Sequence, residues 1–342
     1  MRYYSLTLTD PNSGQVWQPT ATTGAFQKTS SGASFTSYAN GQTNPAALNI
    51  EFDIPVYPYA TPQGKSIIRI WGVGLQMLGQ ASQLTGQNFV LAAGMKAGLP
   101  LANPAQAGII AQGNVYQAFG NWQGVNQTLD LICNPGELSP AGGISFNWSP
   151  GQSLQTALST ALSVFKGYTP KFYISANLQP QNSTAQPANY PSLETFAGYL
   201  AGYTQPIGAQ ATGNASYLGV QMSVVGNTIN VWDGTAPLSA TVQLAFQDLI
   251  GQPTWIDAAT VNFKTVLRYD IAVGAQIKFP AGIVAPYALT SANAAAPNAP
   301  SRSKSVFQGT FTVIEAHHFA NFRQPDADSW NTTFSAVTNQ NG

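Results

Sequence analysis

Leu48-Asn49-Ile50-Glu51-Phe52-Asp53-Ile54-Pro55 decides the fold. Apolar side chains alternate with Asn, Glu and Asp, and a strand sends successive side chains to opposite faces. The run therefore predicts a strand with one buried face and one polar face. Working outward, the same period recurs. Tyr4, Leu6 and Leu8 share a face opposite Ser5, Thr7 and Thr9. Asp10-Pro11-Asn12-Ser13-Gly14 supplies the turn chemistry to reverse the chain into Gln15-Val16-Trp17. A Thr/Ser/Gly/Asn-rich stretch from Pro19 to Pro45 reads as a long loop or loose hairpin. Further strands are predicted at Ser66–Val73, Asn88–Ala92, Ile109–Phe119 and Thr128–Cys133. Residues 1–136 thus read as an antiparallel barrel or sandwich, a first β-barrel-like unit.

The middle changes period. Ser149 followed by Pro150 is a helix start, and Leu154, Leu158, Ala161, Leu162 and Phe165 recur at helical spacing. A strand at Lys171–Ala176 leads into a Gln/Asn/Pro/Ser loop from Gln179 to Pro191. A second helix is predicted from Ser192 to about Tyr203. Gly226-Asn227 then turns a hairpin between Leu218–Val225 and Thr228–Trp232. Residues 137–236 read as a small α/β domain. Alternation resumes in 237–342: Val242, Leu244 and Phe246 share a face, as do Val261, Phe263, Thr265 and Leu267. Ile277 and Phe279 follow a tight turn at Gly274. A loop at Ser291–Ser303 precedes strands at Val306–Glu315 and Ser329–Val337. The expected class is mainly β, with two barrel-like β domains flanking an α/β insertion.

Only 8% of the residues are charged, against roughly 25% in a typical soluble domain. Gln, Asn, Ser, Thr, Ala and Gly take their place. A neutral polar surface still hydrogen-bonds water but costs little to desolvate, which suits a subunit covered by neighbours. A monomer with a merely polar surface fits the composition too. Thirteen basic and thirteen acidic residues are scattered singly, so no Lys/Arg run could grip successive phosphates. Cys133 stands alone, which excludes an intrachain disulfide and a thiolate zinc site. Met1–Asp10 lacks the apolar core of a signal peptide. The most apolar region, Phe89–Ile110, is interrupted by Lys96, Pro100, Asn103 and Pro104. Synthesis in a cytoplasm, no classical export and no membrane insertion are expected.

The search for chemistry finds no strong constellation. His317 and His318 are adjacent, so on a strand they face opposite ways and do not readily share a metal. Glu315, Asp326 and Asp328 are the acids nearest to them. The pairs Glu51/Asp53 and Asp326/Asp328 read as a solvated strand face and a turn rather than a hydrolytic pair. Gly72-Val73-Gly74 lacks the third glycine and the lysine of a phosphate loop. The aromatic residues fall mostly on apolar faces or at strand ends. No catalytic residue, metal or cofactor is expected.

Two blocks hint at duplication. Gln112-Gly113-Asn114-Val115-Tyr116 with Ala118-Phe119-Gly120-Asn121-Trp122 parallels Gln308-Gly309-Thr310-Phe311-Thr312 with Ala316-His317-His318-Phe319. Chance likeness of two hairpins explains this equally well.

Several segments resemble the baseplate hub proteins of contractile-tailed bacteriophages and the related late-control-like tail proteins. They are Leu48–Pro55 with Ile67-Ile68-Arg69-Ile70-Trp71-Gly72-Val73-Gly74; Ala92-Ala93-Gly94-Met95 with Gly108–Gly113 and Ala118–Gly124; Trp255–Asp257 through Val261–Arg268 and Asp270–Gly274; and His317–Arg323 with Asp326–Trp330. The residues carrying this pattern include Trp71, Trp122, Phe263, Arg268, Gly274, His317 and Trp330. The resemblance implies a non-enzymatic homotrimer in which each chain supplies two tube domains. Its ring would adapt a sixfold tail tube to a threefold central spike. It further implies the spike, tail tube, tape-measure and baseplate wedge proteins as partners, with DNA only in transit through the lumen. The location would be the tail baseplate of a virion assembled in the host cytoplasm. A tube or tube-initiator protein, a receptor- or glycan-binding tail protein and a wall-degrading hydrolase remain as alternatives, in that order.

Overall fold

The structure, a computed structural model, describes residues 1–20, 24–39, 41–61, 65–96, 103–134, 139–180, 187–213, 217–225, 228–257, 259–281, 307 and 309–338. The turn at Gly226-Asn227 and the Ser291–Ser303 loop lie outside these residues. The first region holds β1 (Arg2–Thr9), β2 (Val16–Pro19), β3 (Phe26–Thr29), β4 (Phe35–Thr36), β5 (Tyr38–Ala39) and β6 (Gln42–Thr43). It continues with β7 (Asn49–Val56), β8 (Ser66–Trp71), α1 (Leu75–Gly79), β9 (Asn88–Met95), β10 (Gly108–Gln123) and β11 (Asn126–Asn134). The middle holds β12 (Ile144–Phe146), α2 (Leu154–Leu162), β13 (Thr169–Tyr173), β14 (Ala188–Tyr190), α3 (Leu193–Thr212), β15 (Gln221–Val225) and β16 (Thr228–Trp232). The last region holds β17 (Val242–Gln243), β18 (Thr254–Trp255), β19 (Thr260–Val266), β20 (Gln276–Lys278), β21 (Phe311–Asn321) and β22 (Trp330–Thr338). The fold is mainly β.

The alternation that opened the sequence is realised in β7, where Ile50, Phe52 and Ile54 are buried and Glu51 and Asp53 face outward. Its partners come from both β regions. One edge pairs with β8, the other with β21, with Asp53 opposite Phe319 and Glu51 opposite Asn321. The result is one antiparallel path, β18-β19-β22-β21-β7-β8-β11-β10-β9-β1-β2-β3, with β4, β17 and β20 attached beside it. The two β regions meet in a single sheet.

Three apolar clusters form among the described residues. The first joins β1, β7, β8, β9 and β11 and also takes Leu267, Ala320 and Trp330 from the last region. Trp330 shows why: its indole Nε1 donates to the Gly94 carbonyl of β9 at 3.1 Å. The sheet therefore curls until β22 meets β9. Arg2 seals the same seam, its guanidinium donating to the carbonyls of Asn321 (2.9 Å) and Asp326 (2.6 Å) and lying over the Trp330 ring. The second cluster packs α2 and α3 against β12, β15 and β16. The third collects Trp232, Phe263, Phe311 and Phe334.

Local corrections have physical causes. The helix predicted at Ser149-Pro150 begins at Leu154, with Ser153 as its cap accepting from the Thr156 amide at 3.1 Å. Gly151 adopts φ +79°, which a right-handed helix cannot continue. The Ser192 helix runs past Tyr203 to Thr212 and carries Pro206 inside it, where sequence rules would stop a helix. The strand expected at Lys171–Ala176 lies at Thr169–Tyr173. Phe246 leaves the face of Leu244, enters a short 3₁₀ turn and is 66% exposed.

Candidate functional site

Residues Asn321, Glu51, Arg69, Asp130 and Phe119 stand in register on the outward face of β21, β7, β8, β11 and β10. Asn321 donates to Glu51 at 2.7 Å. Asp130 is only 2% exposed although it lies on the outer face. It is compensated there by an ion pair with Arg69, by Asn121 Nδ2 at 2.5 Å and by the Thr128 hydroxyl at 3.2 Å. Arg69 also lies over the Trp71 ring, 5.7 Å from its centroid. Sequence reading missed Asp130, because a lone acid inside Leu129–Cys133 looks like ordinary alternation.

The histidines part as the strand geometry requires. His317 faces outward, with Nε2 2.5 Å from Asp53 Oδ1. His318 turns inward, and its Nδ1 lies 2.9 Å from the Thr332 hydroxyl of β22. Burial, followed by the neighbouring His317, pushes the His318 imidazole down to about 3, so it is neutral. Among the described residues no group of three His, Cys, Asp or Glu side chains is placed to hold a metal ion. The carboxylates weighed for hydrolysis are spread out: Glu51 takes Asn321, Asp53 takes His317, and Asp328 takes Lys264 at 2.7 Å. Burial pushes the Cys133 thiol up to about 12, an inert state.

Just beyond β19 lies a buried polar knot. Arg268 is 3% exposed and meets Asp270 through two 2.7 Å hydrogen bonds, the planar fork matching the carboxylate. Its Nη1 reaches to 3.6 Å from Asp248, an ion pair beyond hydrogen-bond range. Gln106 donates to Asp248 at 3.4 Å, and the Tyr269 amide donates to the Gln106 carbonyl at 3.1 Å. The knot thus ties the segment before β10 to the last region. Thr332 accepts from the Arg268 amide at 3.3 Å, linking the knot to His318.

Beside it is a cavity of about 440 Å³ where the three apolar clusters meet. It is lined by residues of all three regions, among them Ile54, Tyr59, Ile109, Val224, Val273 and His318. Among the described residues no Asp, Glu, Lys or Arg lines it.

The remaining family-pattern residues occupy separate places. Phe263 is buried, stacked on Phe334 with centroids 5.0 Å apart and edge-on to Phe279 at 5.1 Å. Gly274 adopts φ +91° and donates to the Val313 carbonyl at 2.7 Å. A Cβ there would sit 2.6 Å from Leu238 Cδ1 and 2.7 Å from Trp232 Cε2. Trp330 is buried in the first cluster. Trp122 is 63% exposed near the tip of the β10–β11 hairpin, with its Nε1 on the Gly124 carbonyl. The structure leaves Trp122 and His317 at the surface, buries Phe263 and Trp330, and does not gather these residues at one site.

No protein-family model matches the chain, and no curated protein matches it. Solved structures do. An Escherichia coli type VI secretion component (c3393), described as structurally similar to the T4 bacteriophage tail proteins gp27 and gp5, aligns with TM-score 0.50 and 10% identity. The alignment covers 87% of this chain and 76% of that one. A tail protein from Neisseria meningitidis MC58 aligns at TM-score 0.45 and 9% identity over 98% and 96% of the two chains. The 43 kDa tail protein of prophage MuSo2 from Shewanella oneidensis aligns at 0.42 and 8% over 85% and 98%. At such identities the likeness is one of fold, and the fold is that of a secretion-machine component which itself resembles phage tail proteins.

Proposed function

We propose that this chain is the baseplate hub of a contractile phage-type tail, a non-enzymatic subunit of which three copies close into a ring. The observation that carries this reading is the fold shared with a type VI component that resembles the tail proteins gp27 and gp5. The two long hairpins support it. β10–β11 and β21–β22 flank the central β7–β8 pair, and each carries a register shift in its first strand. Two similar β units per chain, at 1–136 and 237–342, would give a threefold ring six tube-like units. The ring would meet a sixfold tail tube on one side and a threefold spike on the other, with wedge proteins around it. A surface poor in charge leaves a lumen that does not grip DNA or the tape-measure protein in transit. Assembly would take place in the host cytoplasm and the final location would be the virion tail.

Electron microscopy of the purified protein, with its mass measured in solution, tests this. The expected outcome is threefold rings at three times the 36.1 kDa of one chain. Sixfold rings or tubes would replace the hub by a tube protein. Monomers that bind sugar or clear bacterial cell wall would overturn it.

A further inference from the structure

The three-way cavity has two features that packing alone does not explain. The first is His318, 95% buried, whose Nδ1 faces Thr332 while its ring lines the cavity. Thr332 can send its one hydroxyl proton to His318 Nδ1 at 2.9 Å or to the Arg268 carbonyl at 3.5 Å. The 2.9 Å contact fits either tautomer, and in the one that takes up the Thr332 proton Nδ1 is the acceptor. The neutral imidazole then carries its proton on Nε2, which has no partner among the described residues. The second feature is a free strand edge. Met222 of β15 turns its carbonyl outward to accept from the Tyr59 amide at 2.9 Å. Residues two apart on a strand share an edge, so the Val224 N–H and C=O face the same way, where they line the cavity and meet no partner among the described residues.

We propose that this cavity seats an extended, uncharged peptide segment of a partner protein, which pairs with the backbone of Val224 and sets a carbonyl against His318 Nε2. A free edge recognises backbone, which favours a peptide over other neutral ligands of similar size. The volume lies within the range of ligand pockets. The absence of charge from the walls disfavours acidic or basic side chains, which would lose their hydration uncompensated. The apolar wall at Ile109, Ile110 and Val273 suits one large apolar side chain.

The probe is acetyl-Gly-Val-Phe-Ala-amide, titrated into full-length protein labelled with ¹⁵N only at histidine. Two histidines give two imidazoles, so outward-facing His317 is the internal control. Saturable movement of the His318 Nε2 signal, with His317 still, is expected. Replacing Phe by Asp in the probe, or N-methylating its backbone, should weaken binding by about tenfold or more. His318→Phe should do the same, and His318→Gln, which retains a donor, should restore part of it. The proposal is overturned if His318 does not move up to about 5 mM peptide. It is equally overturned if the Asp and N-methylated peptides bind as well as the parent. These peptide arms use unaltered protein, so a variant that fails to fold cannot blur the answer.

Discussion

The β10–β11 and β21–β22 hairpins are built alike and used oppositely. Both are long antiparallel pairs whose first strand shifts register early, between Val115 and Gln117 in one and between Val313 and Glu315 in the other. Yet β22 is buried on both faces, Trp330, Thr332, Phe334 and Ala336 inside and Asn331 and Ser335 nearly so. The outer half of β10 exposes Tyr116 and Trp122, and Val125 at the turn is 97% exposed. Neighbours make the difference. β21–β22 lies between β7 and β19, whereas the outer half of β10 runs beyond its pairing with β9 and is met by the short α1, the turn after it and, over Tyr116, Lys65. A strand pattern fixes which side chains share a face; what is laid over that face decides whether it becomes core or contact surface.

That contrast can be broken. The largest expected effect is on pH dependence. His318 holds its proton less tightly in the folded state than in the unfolded one, so between its ordinary value near 6.5 and its folded value of about 3 the unfolded state binds more protons. Its contribution to stability is intact above pH 6.5 and is lost as pH falls toward 3, at up to about 1.4 kcal/mol per pH unit. Urea melts of wild type and His318→Gln across that window should diverge, the variant showing the shallower slope. A parallel slope would mean that burial of His318 does not exclude the proton.

Trp330→Ala comes next, at about 3–5 kcal/mol in the same melts, because it empties the seam between β22 and β9. Asp130→Ala on the other hairpin should cost about 2–3 kcal/mol. It strips a nearly buried acid from Arg69, whose 42% side-chain exposure holds the figure below that of a fully buried pair. The smallest expected effect is that of Trp122→Ala, within about 0.5 kcal/mol. In the hub reading the same change lowers the yield of rings in electron micrographs. Were Trp122→Ala as damaging to folding as Trp330→Ala, the two hairpins would share one role.

Much of the fold was legible. Alternation placed β1, β7, β19 and β22 within a residue or two, Ser192 marked its helix, and the adjacent histidines were assigned opposite faces. Partners were not legible. β7 pairs with β21 across a separation of more than 260 residues, and periodicity names a face without naming the strand beside it. The polar knot was half visible. Arg268 and its neighbour Asp270 stood in recognised segments, but Asp248, and Gln106 behind it, reach Arg268 only through tertiary folding. Leu75–Leu84 was missed, although Met77, Ala81 and Leu84 recur at helical spacing, because a run so short carries little periodic signal.

The seam closed by Arg2 and Trp330 also sets a clock on biosynthesis. Arg2 is held by carbonyls at 321 and 326, so this seam cannot close until β21 and the turn after it have left the ribosome. At roughly 5–20 residues per second, β7 waits on the order of 10–50 s for β21 with one edge unpaired. During that interval the free edge of β7 is open to pairing with another nascent chain.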